Sequence, residues 1–127
     1  MCMAKTTQRE IGDWGEEQSS LFLVRNKYEV VARNYNARGG EIDIVAWDRS
    51  DAVEPALCFV EVKTRSAGDG SAERATRTPD KLQKMQIAAR AYLEQEDLEV
   101  GVIPIQFEHI SVYVGRTPEC IQYEIPL

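Results

Sequence analysis

Histidine occurs once and cysteine three times in this 127-residue chain. His109 stands alone, so a zinc site built on two or three histidines is excluded, and a catalytic triad would have to use this one ring. Cys2, Cys58 and Cys120 are an odd set with no C-x-x-C spacing, which argues against a disulfide framework and a cysteine zinc site. Cys58, within Leu57-Cys58-Phe59-Val60, reads as a small buried hydrophobe. His109, within Glu108-His109-Ile110-Ser111-Val112, reads as a structural strand residue. No apolar run approaches the roughly 20 residues that span a bilayer. The opening Met1-Cys2-Met3-Ala4-Lys5 leads into polar residues without the apolar stretch of a signal peptide. The expected location is cytoplasmic.

Positive charge is also scarce. Fifteen Lys and Arg face 21 Asp and Glu, a formal net charge of −6, which is awkward for holding a polyanion. The distribution is less so: residues 63–90 hold seven basic and three acidic residues, residues 91–127 one and seven. The central positive stretch contains Lys63, Arg65, Arg74, Arg77, Lys81, Lys84 and Arg90, and binding depends on the local field more than the total. Taken singly, each of these is more often an ordinary solubilising charge. With 43% hydrophobic and 28% charged residues, the composition is that of a folded chain, and the length suits one domain over 1–127.

The pattern predicts a helix over 7–26, capped by Thr6 or Thr7, with Ile11, Trp14, Leu21 and Val24 on its packed side and Gly15 allowing close approach. Strands are expected at 28–32, 41–47 and 56–64, the last apolar enough to be central. A turn falls at Asn36-Ala37-Arg38-Gly39-Gly40, and 66–77 is a Gly/Ser/Ala-rich loop. Thr78-Pro79 starts a second helix, to about 94, packing through Leu82, Met85, Ala88 or Ala89, and Tyr92. Further strands are expected at 100–107, 110–114 and 120–125, with Pro104 at an edge or bulge. The order implies an α/β mixed sheet flanked by helices.

The chemistry concentrates in Gly39-Gly40-Glu41-Ile42-Asp43-Ile44 and Phe59-Val60-Glu61-Val62-Lys63-Thr64-Arg65. Strand alternation puts Glu41 with Asp43, and Glu61 with Lys63, on one face, while Ile42, Ile44, Val60 and Val62 anchor the other. Charged residues after an apolar run in a central strand cost several kcal/mol unless paired or metal-bound (about that size by transfer data), so stability alone does not explain them. An isolated Glu-x-Lys is more often a plain ion pair. Asp43 on the preceding strand adds a second hard oxygen ligand for Mg²⁺ or Mn²⁺, with the Val62 carbonyl as a further one. Such an ion activates water and neutralises phosphate charge. Lys63 could orient the water or steady the transition state. Glu16 could reach the same cleft from the first helix, with Glu41 behind. Trp14, Tyr28, Tyr35 and Trp47 could stack on bases, although core or rim roles are commoner.

These segments, with Gly12-Asp13-Trp14-Gly15-Glu16 matching G-x-x-G-E, Arg33-Asn34-Tyr35, and Lys81 or Lys84 followed by Ala89 and Tyr92-Leu93, resemble the YraN-like family of uncharacterised bacterial proteins. The resemblance covers nearly the whole chain. It implies a restriction-endonuclease-like fold, distantly similar to archaeal Holliday junction resolvases. It also implies Asp43, Glu61 and Lys63 as the core of a nuclease site, Glu16 as its helical carboxylate, and a homodimer on branched DNA. One departure is Gln106-Phe107-Glu108, where the family commonly has Arg-Phe-Asp.

The expected function is Mg²⁺- or Mn²⁺-dependent DNA endonuclease activity. Asp43, Glu61 and Glu16 would be the metal ligands, and Arg65, Arg74, Arg77, Lys81 and Lys84 the nucleic-acid contacts. The alternatives are a nucleic-acid-binding module of the same fold without cleavage, and a protein-interaction domain using the acidic C-terminal half.

Overall fold

Exposure alternates along residues 28–33, whereas residues 56–62 are buried without interruption; the first pattern makes an outer strand, the second a strand covered on both faces. The computed structural model describes residues 8–51, 53–66, 79–99, 101–114 and 119–124. They form α1 (Gln8–Arg25), β1 (Tyr28–Ala37), β2 (Gly40–Asp48), β3 (Ala56–Ser66), α2 (Pro79–Gln95), β4 (Ile105–Val114) and β5 (Glu119–Glu124). The strands make one five-stranded sheet in the order β1-β2-β3-β4-β5. β3 and β4 are parallel and the other pairs antiparallel. The parallel pair needs a long crossover, which α2 supplies.

Each face of the sheet has its own apolar layer. Toward α2, Phe59, Val45 and Phe107 meet Met85, Ala88, Ala89, Tyr92 and Leu93. Tyr92 is the anchor, edge-on to Tyr35 at 5.3 Å and to Phe59 at 5.9 Å, geometry that adds about 0.5–1.5 kcal/mol per pair beyond burial. Toward α1, Leu23 packs with Ile44, Cys58, Val60, Ile110 and Val112. Cys58 is fully buried, as its apolar surroundings in the sequence implied.

The sheet corrects several sequence expectations. On α1, Ile11, Leu21 and Val24 are exposed, and the inward side is Gly15, Glu16, Ser19 and Leu23. Small and polar residues let the helix approach the sheet, so the apolar stripe misled. β1 runs to Ala37, well past residue 32, and leaves only Arg38-Gly39 for the turn, with Gly39 at φ 89°. In place of two strands at 100–107 and 110–114 there is one, Ile105–Val114. Pro104, which has no N–H to give a ladder, sits just ahead of it and contributes its carbonyl, which accepts from Leu57 N–H at 2.9 Å. The Thr6, Thr7 and Thr78 caps and the loop from 67 onward lie outside the described residues.

Candidate active site

β2 and β3 pair from Asp48↔Ala56 to Ile44↔Val60. At the next residue Asp43 puts a side chain where a backbone partner would otherwise be: Val62 N–H donates to Asp43 Oδ2 at 2.8 Å. On the other side of β2, Asn34 lies between the pairs Arg33↔Ile44 and Tyr35↔Ile42. Its φ is 52°, the left-handed region that asparagine tolerates better than most residues. The two irregularities interrupt alternation. Ile44 packs on the α1 side with Val60 and Val62, whereas Ile42 packs on the α2 side; the expectation that all four share a face fails at Ile42. The same kink turns Asp43 toward a cleft.

Glu61 is only 6% exposed. Its Oε1 lies 3.0 Å from Lys81 Nζ and 3.4 Å from Lys63 Nζ. Its Oε2 is buried without a hydrogen-bond partner among the described residues. Glu16 is similarly buried. With the Asn34 amide turned so that both its ends are satisfied, Asn34 donates to Glu16 Oε1 at 2.7 Å.

The carboxylates feel one another. Burial pushes Asp43 from its ordinary 3.8 to about 6; the Val62 N–H and Lys63 oppose this, and the charges of Glu16 and Glu61 add to it. Burial likewise raises Glu16, with Asn34 and Arg33 opposing and Asp13 and Glu41 reinforcing. For Lys81, burial disfavours the charge, but contact with Glu61 and the nearby charge of Asp43 outweigh it and raise its pKa. A cluster that resists ionisation in this way gains from a bound cation.

Two glycines set the walls. A Cβ on Gly15 would collide with Thr64 Oγ1, so the bare backbone lets α1 bring Glu16 beside β3. A Cβ on Gly40 would collide with the Lys84 carbonyl and lie 3.2 Å from Ala88 N, so Gly40 lets α2 bring Lys81 onto Glu61. The result is an open cleft of about 600 Å³ whose lining includes Glu16, Asn34, Asp43, Glu61, Lys63 and Lys81.

Glu16, Asp43, Glu61 and Lys63, all named from the sequence, thus line one cleft. Among the described residues, no three His, Cys, Asp or Glu side chains form a ready cage for a metal. Mg²⁺ does not require one, because it keeps several waters and is held by one or two carboxylates plus phosphate. Glu61 Oε2 and the Asp43 carboxylate are hard oxygen donors of the kind such an ion takes.

The expected nucleic-acid contacts divide. Lys81 lines the cleft and pairs there with Glu61. Lys84 is exposed and pairs with Asp80 at 3.5 Å. Arg65 lies half-buried further along β3, and Arg74 and Arg77 fall outside the described residues. Asn34 was not named as a site residue, although Arg33-Asn34-Tyr35 was among the segments that carry the resemblance; the strand that holds it was expected to end at residue 32 and runs to Ala37. Of the possible stacking residues, Tyr35 is committed to Tyr92, and Tyr28 donates to Glu108 Oε1 at 3.1 Å. Arg49 lies 5.7 Å from the Trp47 ring, and Trp14 packs on the α1 layer.

Glu108 and Gln106, in register with Val60 and Cys58, lie further down the α1 side of the sheet and do not line the cleft. Gln122 Nε2 donates to Glu108 Oε2 at 2.6 Å, and Cys58 Sγ contacts Gln106 Oε1 at 3.6 Å. His109, in register with Glu61 across β3 and β4, lies 2.9 Å from Ser111 Oγ and is buried.

A mixed five-stranded sheet flanked by helices, with acids placed where its second and third strands part, is the restriction-endonuclease-like α/β fold. The chain belongs to the uncharacterised protein family UPF0102, whose model matches residues 15–112 and so spans Glu16, Asp43, Glu61, Lys63 and Lys81. UPF0102 proteins similar to it occur in Roseiflexus castenholzii, 35% identical over 90% of this chain and 87% of that one. Another, in Mycolicibacterium smegmatis, is 36% identical over 95% of each chain, and a third, in Syntrophomonas wolfei, is 41% identical over 86% and 90%. The fold and family are of nuclease-like architecture. No described helix is long and apolar enough to cross a membrane.

Proposed function

We propose that the cleft hydrolyses phosphodiester bonds of DNA with Mg²⁺ or Mn²⁺ as cofactor. The observation that carries the reading is the convergence of Asp43, Glu61 and Lys63 on one cleft, with Glu61 Oε2 buried and unpartnered among the described residues. Asp43 and Glu61 would hold the ion and Glu16 would support it from α1. When bound, the ion supplies charge neutralisation at the phosphate and activation of a water. Lys63, on the same face of β3 as Glu61, orients that water and takes up negative charge developing on the phosphate. Val62 N–H fixes the Asp43 carboxylate at the other end. Arg65, with Arg74 and Arg77, would contact the flanking phosphates, and two copies of the chain would suit a branched substrate.

One observation favours a second reading, nucleic-acid binding without cleavage: two lysines already neutralise Glu61. The test is cleavage of labelled linear, flapped and four-way DNA in Mg²⁺ or Mn²⁺ by wild type and Lys63→Ala. The nuclease reading expects cutting by wild type, and a folded variant that binds DNA but cuts at least about 100-fold more slowly, the scale of general acid–base and electrostatic contributions. Salt-sensitive binding with no cutting in either ion would favour the second reading.

A further inference from the structure

Lys81 is not needed to explain the cleft as a metal site, yet it is the closer of the two cations on Glu61. We infer that Lys81 is a positioning residue that holds Glu61 in the metal-free protein and releases it when a divalent cation binds, so that ion binding and release of Lys81 are a single coupled event. This rests on the nuclease reading above and adds a means of regulating the same site.

The geometry supplies the reason. A buried carboxylate must be neutralised, and among the described residues one oxygen of Glu61 receives both ammonium groups while the other has no partner. That distribution leaves Oε2 open and makes Oε1 the point of competition. Lys63 belongs to β3 itself, two residues from Glu61, and cannot leave the strand's face. Lys81 comes from another element, its side chain 36% exposed to the cleft. A cation held by Asp43 and Glu61 would meet the Lys81 ammonium as a like charge beside the same carboxylate. An ammonium on a flexible four-carbon stem can swing away from it and toward a phosphate in the cleft; a guanidinium, bound through a planar fork, lets go less readily.

Coupling between two ligands of one group is reciprocal: if Lys81 must leave, its absence must tighten the ion. The experiment is Mn²⁺ titration calorimetry on the full chain at low salt. The proteins are wild type, Lys81→Met, Lys81→Arg, Asp43→Asn and, as a control, Arg90→Met at an exposed α2 position. The expected result is tighter Mn²⁺ binding by Lys81→Met, about five-fold or more on the usual scale of coupling. Lys81→Arg should bind more weakly than wild type, and Arg90→Met should be unaltered. Lys81→Met binding Mn²⁺ no more tightly than wild type overturns the inference. Should that variant not fold, Lys81→Arg decides alone, and unchanged or tighter binding overturns it. Asp43→Asn separates this failure from that of the nuclease reading: loss of Mn²⁺ binding there, with no effect at Lys81, removes only the release mechanism. Mn²⁺ binding indifferent to Asp43→Asn, or absent from wild type, removes both.

Discussion

Ionising Asp43 works against its surroundings, because burial and two neighbouring acids raise it from 3.8 to about 6. The sign follows from proton binding: between these values the folded chain holds the proton more tightly than the unfolded one. Without divalent ions this group's contribution to stability therefore falls as pH rises from about 4 to about 6, and the full penalty persists above that. Asp43→Asn should remove this slope and stabilise the metal-free protein at pH 7 by about 1–3 kcal/mol, with no gain near pH 3. Urea unfolding in chelator at both pH values checks this; a variant less stable than wild type at pH 7 would contradict it. Packing beside the site is equally specific. Gly15→Ala should destabilise by about 1–3 kcal/mol because its Cβ meets Thr64 Oγ1. Since that hydroxyl is buried without a partner among the described residues, adding Thr64→Ala should recover part of the loss in thermal melts, whereas an additive double variant would place the strain elsewhere.

Among the elements, α2 depends on a contact that no side-chain change can relieve. A Cβ at Gly40 would strike the Lys84 carbonyl, which is backbone, so Gly40→Ala should cost at least as much as Gly15→Ala, about 3 kcal/mol by the overpacking scale. It should also shift α2, and with it Lys81, away from Glu61. Denaturant midpoints of the two variants compare them directly. The helix α2 and strand β3 were legible in the sequence because their apolar residues follow a clear helical period and an unbroken run. Glu61 and Lys63 were legible because charge after an apolar strand has a cost that stability does not explain; Asp43 was legible from its place on the preceding strand, and Glu16 from the G-x-x-G-E resemblance on the first helix. The inward side of α1 was not legible: close approach selects Gly15 and Ser19 there, leaving Ile11 and Val24 outside, and hydrophobicity cannot report that. Nor was the turn of Ile42 to the other face, which depends on a left-handed Asn34 and an Asp43 that bonds to Val62 across a gap in the ladder. Alternation counting assumes a regular strand and fails at such an irregularity. Lys81 was read by its charge and as one of two lysines that match the resembled helix, and only the close seat of α2 on Gly40 reveals its partner.

At the scale of the whole molecule, a net charge of −6 surrounds a cleft proposed to hold a polyanion. Affinity must come from the few cations near the cleft and be strongly screened. Binding of a DNA duplex should weaken about 10- to 100-fold between about 50 and 200 mM salt, as expected for a handful of phosphate contacts; fluorescence anisotropy would show it, and salt-independent binding would point to contacts other than phosphate. A divalent ion bound where Asp43, Glu61 and Glu16 converge would offset part of the same excess of negative charge. The most direct measurement is therefore nicking of labelled four-way DNA in Mg²⁺, with wild type and Asp43→Asn assayed side by side at matched protein concentration. Cutting by wild type that chelator abolishes and Asp43→Asn lacks is the expected result. Equal cutting by both proteins would contradict a catalytic ion held at this pair of strands.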